Sequence, residues 1–108
     1  MRITAEDAQK QFTALLTQWC DALVRLQITE PDNETLDGAI RCPACGGVHG
    51  RCHEAVYPLL CAAHRTGNSA YLTAAKRLFR WSRNMRCSDG GCRNDFNADW
   101  KGVTVFLS

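Results

Sequence analysis

The sequence predicts one all-α domain of three helices, with a cysteine- and histidine-rich loop between the first helix and the second. Apolar side chains recur at helical spacing before residue 28, and a Thr-Gly-Asn turn at 66–68 separates two further amphipathic segments. Between them, residues 41–52 hold three cysteines and one histidine. A chain of 108 residues has the length of a single domain.

Composition and charge narrow the classes of function. An apolar content of 45% is typical of a globular chain. The net charge of +2 is too balanced for a nucleic-acid-binding surface, and no apolar run approaches the length of a membrane span. The first residues are polar and acidic, unlike a secretory signal, so the seven cysteines predict a reducing, cytoplasmic setting with thiols or metal.

The first helix is predicted over residues 4–28, with its clearest periodicity between Thr4 and Leu26. Thr4 is the expected N-cap, and Asp7 places a negative charge in the first turn. Cys20 is expected to be a small core residue beside the apolar stripe. That stripe, which needs a partner to cover it, consists of Phe12, Leu15, Leu16, Trp19, Leu23 and Leu26.

A polar connector, residues 30–40, leads from this helix into a Cys/His knuckle at 41–52. The knuckle opens with a Cys-Pro-x-Cys-Gly turn, which directs two thiolates at one tetrahedral ion. We expect a structural Zn²⁺, and the simplest ligand set is Cys42, Cys45, His49 and Cys52. His53 is an alternative for either of the last two ligands, and Cys87 with Cys92 forms another candidate pair.

Other readings of the knuckle stay open. A Cys-x-x-Cys pair also serves as a redox dithiol, although no strand precedes Arg41 as in thioredoxin-like proteins. A third interpretation is that the cysteines are free thiols in a loop. A catalytic zinc is less favoured, since catalytic sites keep an open position and prefer histidine and carboxylate ligands.

Residues 52–84 are predicted to form a helical hairpin. Its first helix has Pro58 in the opening turns and ends at Gly67, a residue suited to the left-handed C′ position. Asn68 or Ser69 then caps the third helix. The expected buried faces are Ala55, Val56, Leu59, Leu60, Ala62 and Ala63, then Tyr71, Leu72, Ala75, Leu78, Phe79 and Ser82. The basic cluster predicted to be a solvated helix face is Lys76, Arg77, Arg80, Arg83 and Arg86.

A loop and terminal segment is predicted over 85–108. Cys87 to Cys92 is rich in glycine, and a polar stretch follows. The run from Val103 to Leu107 has the β-branched composition of a strand.

A family resemblance extends from Arg41 to Phe106. The hairpin part of it consists of His49-Gly50-Arg51-Cys52, Ala55-Val56-Tyr57-Pro58-Leu59-Leu60, Thr66-Gly67-Asn68, Tyr71-Leu72, Ala74-Ala75 and Leu78-Phe79-Arg80-Trp81-Ser82. Its continuation consists of Asn94-Asp95 and Asp99-Trp100-Lys101-Gly102-Val103-Thr104-Val105-Phe106. Together with the knuckle, these residues resemble the N-terminal part of bacterial α/α-toroid proteins, the six-hairpin glycosidase-like and heparinase-like proteins that act on polysaccharides.

The resemblance implies a partial α/α-toroid segment of a glycoside hydrolase or polysaccharide lyase, with a polysaccharide or oligosaccharide as partner. It implies a helix at Val103–Leu107, against the local β-propensity, and it offers no counterparts for Cys87 and Cys92. A toroid closes a ring of many hairpins, whereas this chain holds about one and a half. We therefore expect the segment to be inactive alone.

The same resemblance implies that loops at one rim face the sugar. Glu54 and Asp95 are then the catalytic candidates, because glycoside hydrolysis needs two carboxyls and elimination needs a base. Arg51, which is suited to pair with a uronate, and Trp100, which offers a stacking face, are the substrate-binding candidates. Each has a structural alternative: helix N-terminal charge for Glu54, a turn for Asp95, and a core anchor for Trp100.

A second class of function is a small zinc-binding helical module that binds another protein chain. A hairpin without its neighbours in a ring exposes apolar side chains, which the missing remainder or a second copy would cover. The candidate contact residues are Trp19, Phe79, Trp100 and Phe106.

Overall fold

The computed structural model describes residues 3–86, and this part of the chain is all-α, as predicted. Its helices are α1 (Ala5–Leu26), α2 (Val56–Thr66) and α3 (Ser69–Trp81), and its 3₁₀ segments are Gly50–Ala55 and Ser82–Met85. Within these residues the extended pairing consists of two isolated antiparallel bridges, Gln27 with Ile40 and Arg41 with Val48. Between residues 3 and 86, no helix combines the length and hydrophobicity needed to cross a membrane. The predicted element at Val103–Leu107 lies outside the described residues.

Helix α1 begins as expected, because the Thr4 hydroxyl accepts a hydrogen bond from the Asp7 N–H at 3.1 Å. It ends at Leu26, two residues before the predicted limit of 28. The difference arises because the next residues adopt extended geometry and pair with the end of the connector. The Ile28 N–H donates to the Ala39 carbonyl at 2.8 Å.

The apolar stripe of α1 is only partly covered by the described residues. Leu16 and Cys20 are buried, which confirms the core position of Cys20. Phe12, Leu15 and Trp19 are exposed, with Trp19 at 60%, so residues 3–86 cover only part of the stripe that was predicted to need a partner. Part of the stripe faces solvent because α2 and α3 meet α1 along the side that carries Cys20.

The turn between α2 and α3 follows the sequence prediction. Gly67 has φ of 71°, and its N–H donates to the Ala63 carbonyl at 2.9 Å. The Asn68 side chain then caps α3 by accepting from the Ala70 N–H at 2.9 Å. With only two residues between them, α2 and α3 form the expected helical hairpin.

The hairpin ends differ slightly from the prediction. Its first helix opens with the 3₁₀ segment Gly50–Ala55 before α-helical geometry begins at Val56, so Pro58 falls in the first α-helical turn. Helix α3 ends at Trp81 and continues as 3₁₀ to Met85. Leu60, Leu72 and Phe79, which were expected to be buried, are exposed, and Phe79 is 51% exposed. The buried face of α3 is rotated toward Ala74 and Trp81 instead.

The core lies between the hairpin, the inner side of α1 and the connector. Its members are Leu16, Cys20, Ile28, Ala39, Ile40, Leu59, Ala62, Tyr71, Ala74, Ala75, Leu78, Trp81 and Met85. Ile28, just before the connector, and the last residues of the connector are therefore buried, although most of the connector sequence is polar. Burial of these side chains provides the main driving force for docking the connector on α3.

Hydrogen bonds also fasten the connector to α3. The Gln27 amide nitrogen donates to the Gly38 and Ala74 carbonyls, both at 2.9 Å. The Arg77 guanidinium pairs with Asp37 and also donates to the Ile28 carbonyl at 2.8 Å. Arg77 therefore makes structural contacts between α3 and the segment that follows α1. The prediction that it belongs to a solvated basic face is wrong for this residue.

Candidate functional site

The knuckle brings three of its four predicted ligands together. One ligand atom each from Cys42, Cys45 and His49 lies within 4.8 Å of the others. The Cys45 Sγ and His49 Nε2 atoms are 3.1 Å apart. In a tetrahedral zinc site, neighbouring S and N ligands are separated by about 3.5–3.8 Å. This group of side chains is therefore close to the size that one metal ion requires.

Backbone hydrogen bonds shape the knuckle. The Cys42 N–H donates to the Gly47 carbonyl and the Gly46 N–H donates to the Cys42 carbonyl, both at 2.8 Å. Gly46 has φ of 74°, which confirms that the glycine after the second cysteine permits the turn. The Arg41 guanidinium closes the loop by donating to the Gly46 carbonyl at 2.7 Å.

The local electrostatics favour a thiolate at Cys42. The backbone N–H of Cys45, followed by that of Ala44 and by the Cys45 thiol, lowers the pKa of Cys42 below its ordinary value. Metal ions bind cysteine as the thiolate, so this environment suits a ligand. The Gly47 N–H also points at Cys45, with its nitrogen 3.4 Å from Sγ.

Cys52 and His53 stand in different relations to this group. Cys52 is not one of the three converging residues; burial raises its thiol pKa, and the nearby Cys42 and Cys45 thiols add to the rise. The His53 ring packs on Phe79 of α3 instead, with ring centroids 5.7 Å apart. Burial, and then the Arg86 charge, lower the pKa of His53. Of the two, Cys52 is nearer to the position of a fourth ligand.

The rim candidates Arg51 and Glu54 are partners of each other. Arg51 Nε and Glu54 Oε2 are 3.7 Å apart, and both side chains are exposed to solvent. Together with His49 and Cys52 they line a cavity of about 340 Å³ beside the knuckle. The cavity therefore has an arginine and a carboxylate within reach of a polar ligand. The remaining candidates, Asp95, Trp100, Cys87, Cys92 and Phe106, lie outside the described residues.

Comparison with known proteins assigns the chain to a family. Residues 16–108 match the ulvan lyase N-terminal domain family. The chain belongs to this family. Its predicted resemblance to the N-terminal part of polysaccharide-degrading proteins is thereby confirmed for the lyase branch, while the toroid and the zinc knuckle stay predictions.

One relative of this ulvan lyase N-terminal domain is a broad-specificity ulvan lyase from Formosa agariphila. The two chains are 40% identical over 94 residues, which cover 85% of this chain and 15% of the relative. The domain thus spans about one seventh of the length of that enzyme. No solved structure matches the chain.

Sequence reasoning missed a second cavity in this ulvan lyase N-terminal domain. It has a volume of about 350 Å³ and lies between the connector and the end of α3, where Arg80 and Arg83 meet Glu34. The basic cluster in the sequence was the available signal. That cluster did not distinguish Arg77, which pairs with Asp37, from Arg80 and Arg83, which line the cavity.

Proposed function

We propose that this chain is the N-terminal segment of a polysaccharide lyase that acts on ulvan. The observation that supports this function is the 40% identity with a broad-specificity ulvan lyase, sustained over 85% of the chain. The match begins in α1 and includes the knuckle and the hairpin, since the family assignment covers residues 16–108.

Within the lyase, the segment contributes substrate contacts and does not turn over alone. Elimination next to a uronate needs a base and a group that neutralises the carboxylate, held on a rigid cleft. Of the two catalytic candidates, Glu54 lies among the described residues, and it is exposed and paired with Arg51. In this proposal Arg51 exchanges Glu54 for the substrate carboxylate, while the remainder of the enzyme supplies the other reacting groups.

The knuckle holds a structural Zn²⁺ through Cys42, Cys45, His49 and Cys52. Support comes from the three ligand atoms that lie within 4.8 Å of one another, and from backbone N–H groups that lower the pKa of Cys42 below its ordinary value. Cys52 lies in the 3₁₀ segment that leads into α2 and completes the set by moving toward the other three. The bound ion would fix the start of the hairpin against the end of α1.

The exposed aromatic residues give the segment its contact with the rest of the protein or with a second copy. Trp19 on α1 and Phe79 on α3 are 60% and 51% exposed, which leaves large apolar surfaces for a partner to cover. A small zinc-stabilised interaction module is the alternative function that these faces favour. The cytoplasmic location stays a prediction.

A segment exchange tests the proposed function. The matching 94 residues of the Formosa agariphila ulvan lyase would be replaced by this chain, and release of unsaturated sugar from ulvan would be followed by ultraviolet absorbance. We expect the chimera to cleave ulvan, the enzyme without the segment to be inactive, and this chain alone to be inactive. A folded but inactive chimera would contradict the function. Turnover by the chain alone that is lost in Glu54→Gln would contradict the dependence on the remainder.

A further inference from the structure

The cavity at the end of α3 has walls that are fixed by hydrogen bonds. The Trp81 indole N–H donates to the Thr35 carbonyl at 2.8 Å, and its side chain is buried. The Asn84 amide donates to the Glu34 carbonyl at 2.7 Å. These two bonds tie neighbouring connector residues, Glu34 and Thr35, to the end of the hairpin. The connector wall of the cavity is therefore held against the hairpin by hydrogen bonds.

The charges around this cavity do not balance. Asp37 lines it, but the carboxylate of Asp37 already pairs with Arg77 at 3.1 Å. Arg80 and Arg83 are exposed, and no residue between 3 and 86 accepts a hydrogen bond or forms an ion pair with either guanidinium. Glu34 provides the one further carboxylate on the wall. Two arginines against one carboxylate leave a surplus of one positive charge.

The two guanidinium groups are placed to act together. Arg80 lies in the last turn of α3 and Arg83 in the 3₁₀ segment that follows, three residues apart. Side chains with this spacing lie on the same face of the helix. A guanidinium offers a planar set of N–H donors that matches the paired oxygens of a carboxylate or a sulfate.

We propose that this cavity binds the anionic group of an acidic sugar, a carboxylate or a sulfate, at a distance from the bond that is cleaved. The inference rests on the proposed function for its saccharide partner and adds a subsite to it. Arg80 and Arg83 contact the anionic oxygens, and Asn84 borders the sugar ring. The surplus of one positive charge is matched by a sugar that carries one negative group.

The test is a binding titration of the full 108-residue chain, followed through the backbone and side-chain amide signals in NMR spectra. Four probes are compared: a uronate-containing oligosaccharide, a sulfated oligosaccharide without uronate, an uncharged oligosaccharide of equal length, and a short single-stranded DNA. The test variant is the double substitution Arg80→Gln and Arg83→Gln. The matched control is Lys10→Gln with Arg25→Gln, which removes the same charge from exposed positions of α1.

We expect an acidic oligosaccharide to shift the Trp81 indole and Asn84 amide signals of the unaltered chain. The test variant should lose at least about tenfold in affinity, whereas the control should lose less than about twofold. Whichever acidic probe binds identifies the group as carboxylate or sulfate. Equal losses in the two variants, equal binding of the uncharged probe or of DNA, or no shift at Trp81 and Asn84 would overturn the proposal. Activity of the chimera is measured separately, so failure here leaves the lyase assignment standing.

Discussion

Arg77 on α3 lies 3.1 Å from Asp37 in the connector, measured from Nη2 to Oδ1, and the two side chains are only 25% and 29% exposed. The same guanidinium donates to the Ile28 carbonyl at 2.8 Å and to the Gln27 side-chain oxygen at 3.2 Å. One side chain of the helical hairpin thus contacts Asp37 in the connector and the two residues that follow α1, Gln27 and Ile28. Because water has little access, this interaction is worth more than an ion pair on the surface.

Arg77→Met should lower the free energy of unfolding by about 2–3 kcal/mol, because it leaves the Asp37 carboxylate and a backbone carbonyl without their donor. Urea unfolding at neutral pH measures the change. The control is Lys10→Met, which breaks an ion pair with Glu6 whose side chains are 74% and 81% exposed. That variant should change stability by less than about 0.5 kcal/mol. Similar values for the two variants would show that Arg77 is an ordinary surface residue.

Gly38→Ala should be more destabilising than Gly67→Ala. Gly38 has φ of 90°, and a Cβ atom there would lie 2.5 Å from the Arg77 carbonyl oxygen. Gly67 has a similar φ of 71° but nothing within 4 Å of its Cβ position. We expect a loss of about 1 kcal/mol at Gly67 and more than about 2 kcal/mol at Gly38. The difference between the two, measured by thermal unfolding, isolates the steric term. Equal losses would mean that the connector moves away from α3 at little cost.

One zinc ion should bind per chain, with Cys42→Ser and Cys45→Ser each weakening binding by at least about tenfold. Competition with a coloured chelator gives the affinity, and elemental analysis gives the stoichiometry. Cys61→Ser is the matched control, since Cys61 lies on α2 outside the knuckle. Cys52→Ser should behave like the two ligand variants. Full binding by Cys52→Ser would assign the fourth position to another residue, and loss of binding in a Cys87→Ser, Cys92→Ser variant would point to that pair.

Stability should fall at alkaline pH partly through Tyr71. Its hydroxyl donates to Asp21 at 2.5 Å, and this bond, followed by burial, raises the pKa of Tyr71 to about 12. Folding therefore favours the neutral phenol, whose ordinary pKa is about 10. The contribution to stability is complete below about pH 10 and is lost as the pH rises toward about 12.

Tyr71→Phe removes this dependence together with the hydrogen bond. We expect about 1–2 kcal/mol lower stability at pH 8 and a shallower decline between about pH 10 and 12. Tyr57→Phe, at a position of α2 that is 76% exposed, is the control and should change stability at pH 8 by less than about 0.5 kcal/mol. An identical alkaline decline in Tyr71→Phe would assign the effect to other groups that lose a proton in this range, such as lysine side chains.

Local signals in the sequence predicted the helix ends well. The Thr4 and Asn68 caps and the Gly67 C-cap depend on interactions within a few residues, so residue type is enough to find them. The direction in which a helix faces was predicted less well. Phe79 and Trp81 lie on different faces of α3, and each fits an apolar stripe of its own. Trp81 is the one that is buried, and its indole N–H bonds to the Thr35 carbonyl, 46 residues away in the sequence.

In the candidate site, too, local features were predicted and long-range contacts were not. The spacing of Cys42, Cys45 and His49 predicted three atoms that the structure brings together, because the turn that joins them is local. The pairing of Asp37 with Arg77 spans 40 residues and has no signature in either segment. The cavity with Arg80 and Arg83 is formed between the connector and the end of α3, so local sequence patterns do not predict it.

Cys20 lies at the contact of α1 with α2, fully buried, and its thiol donates to the Pro58 carbonyl at 3.4 Å. Burial raises the pKa of Cys20, whereas Cys45 is exposed in the knuckle and the pKa of Cys42 is lowered. In the metal-free chain, alkylating reagents should therefore modify the knuckle quickly and reach Cys20 only when α1 separates from the hairpin. The rate at which Cys20 is alkylated, followed by mass spectrometry, therefore reports how often α1 separates from the hairpin. The native cysteine serves as the probe, so no label has to be introduced.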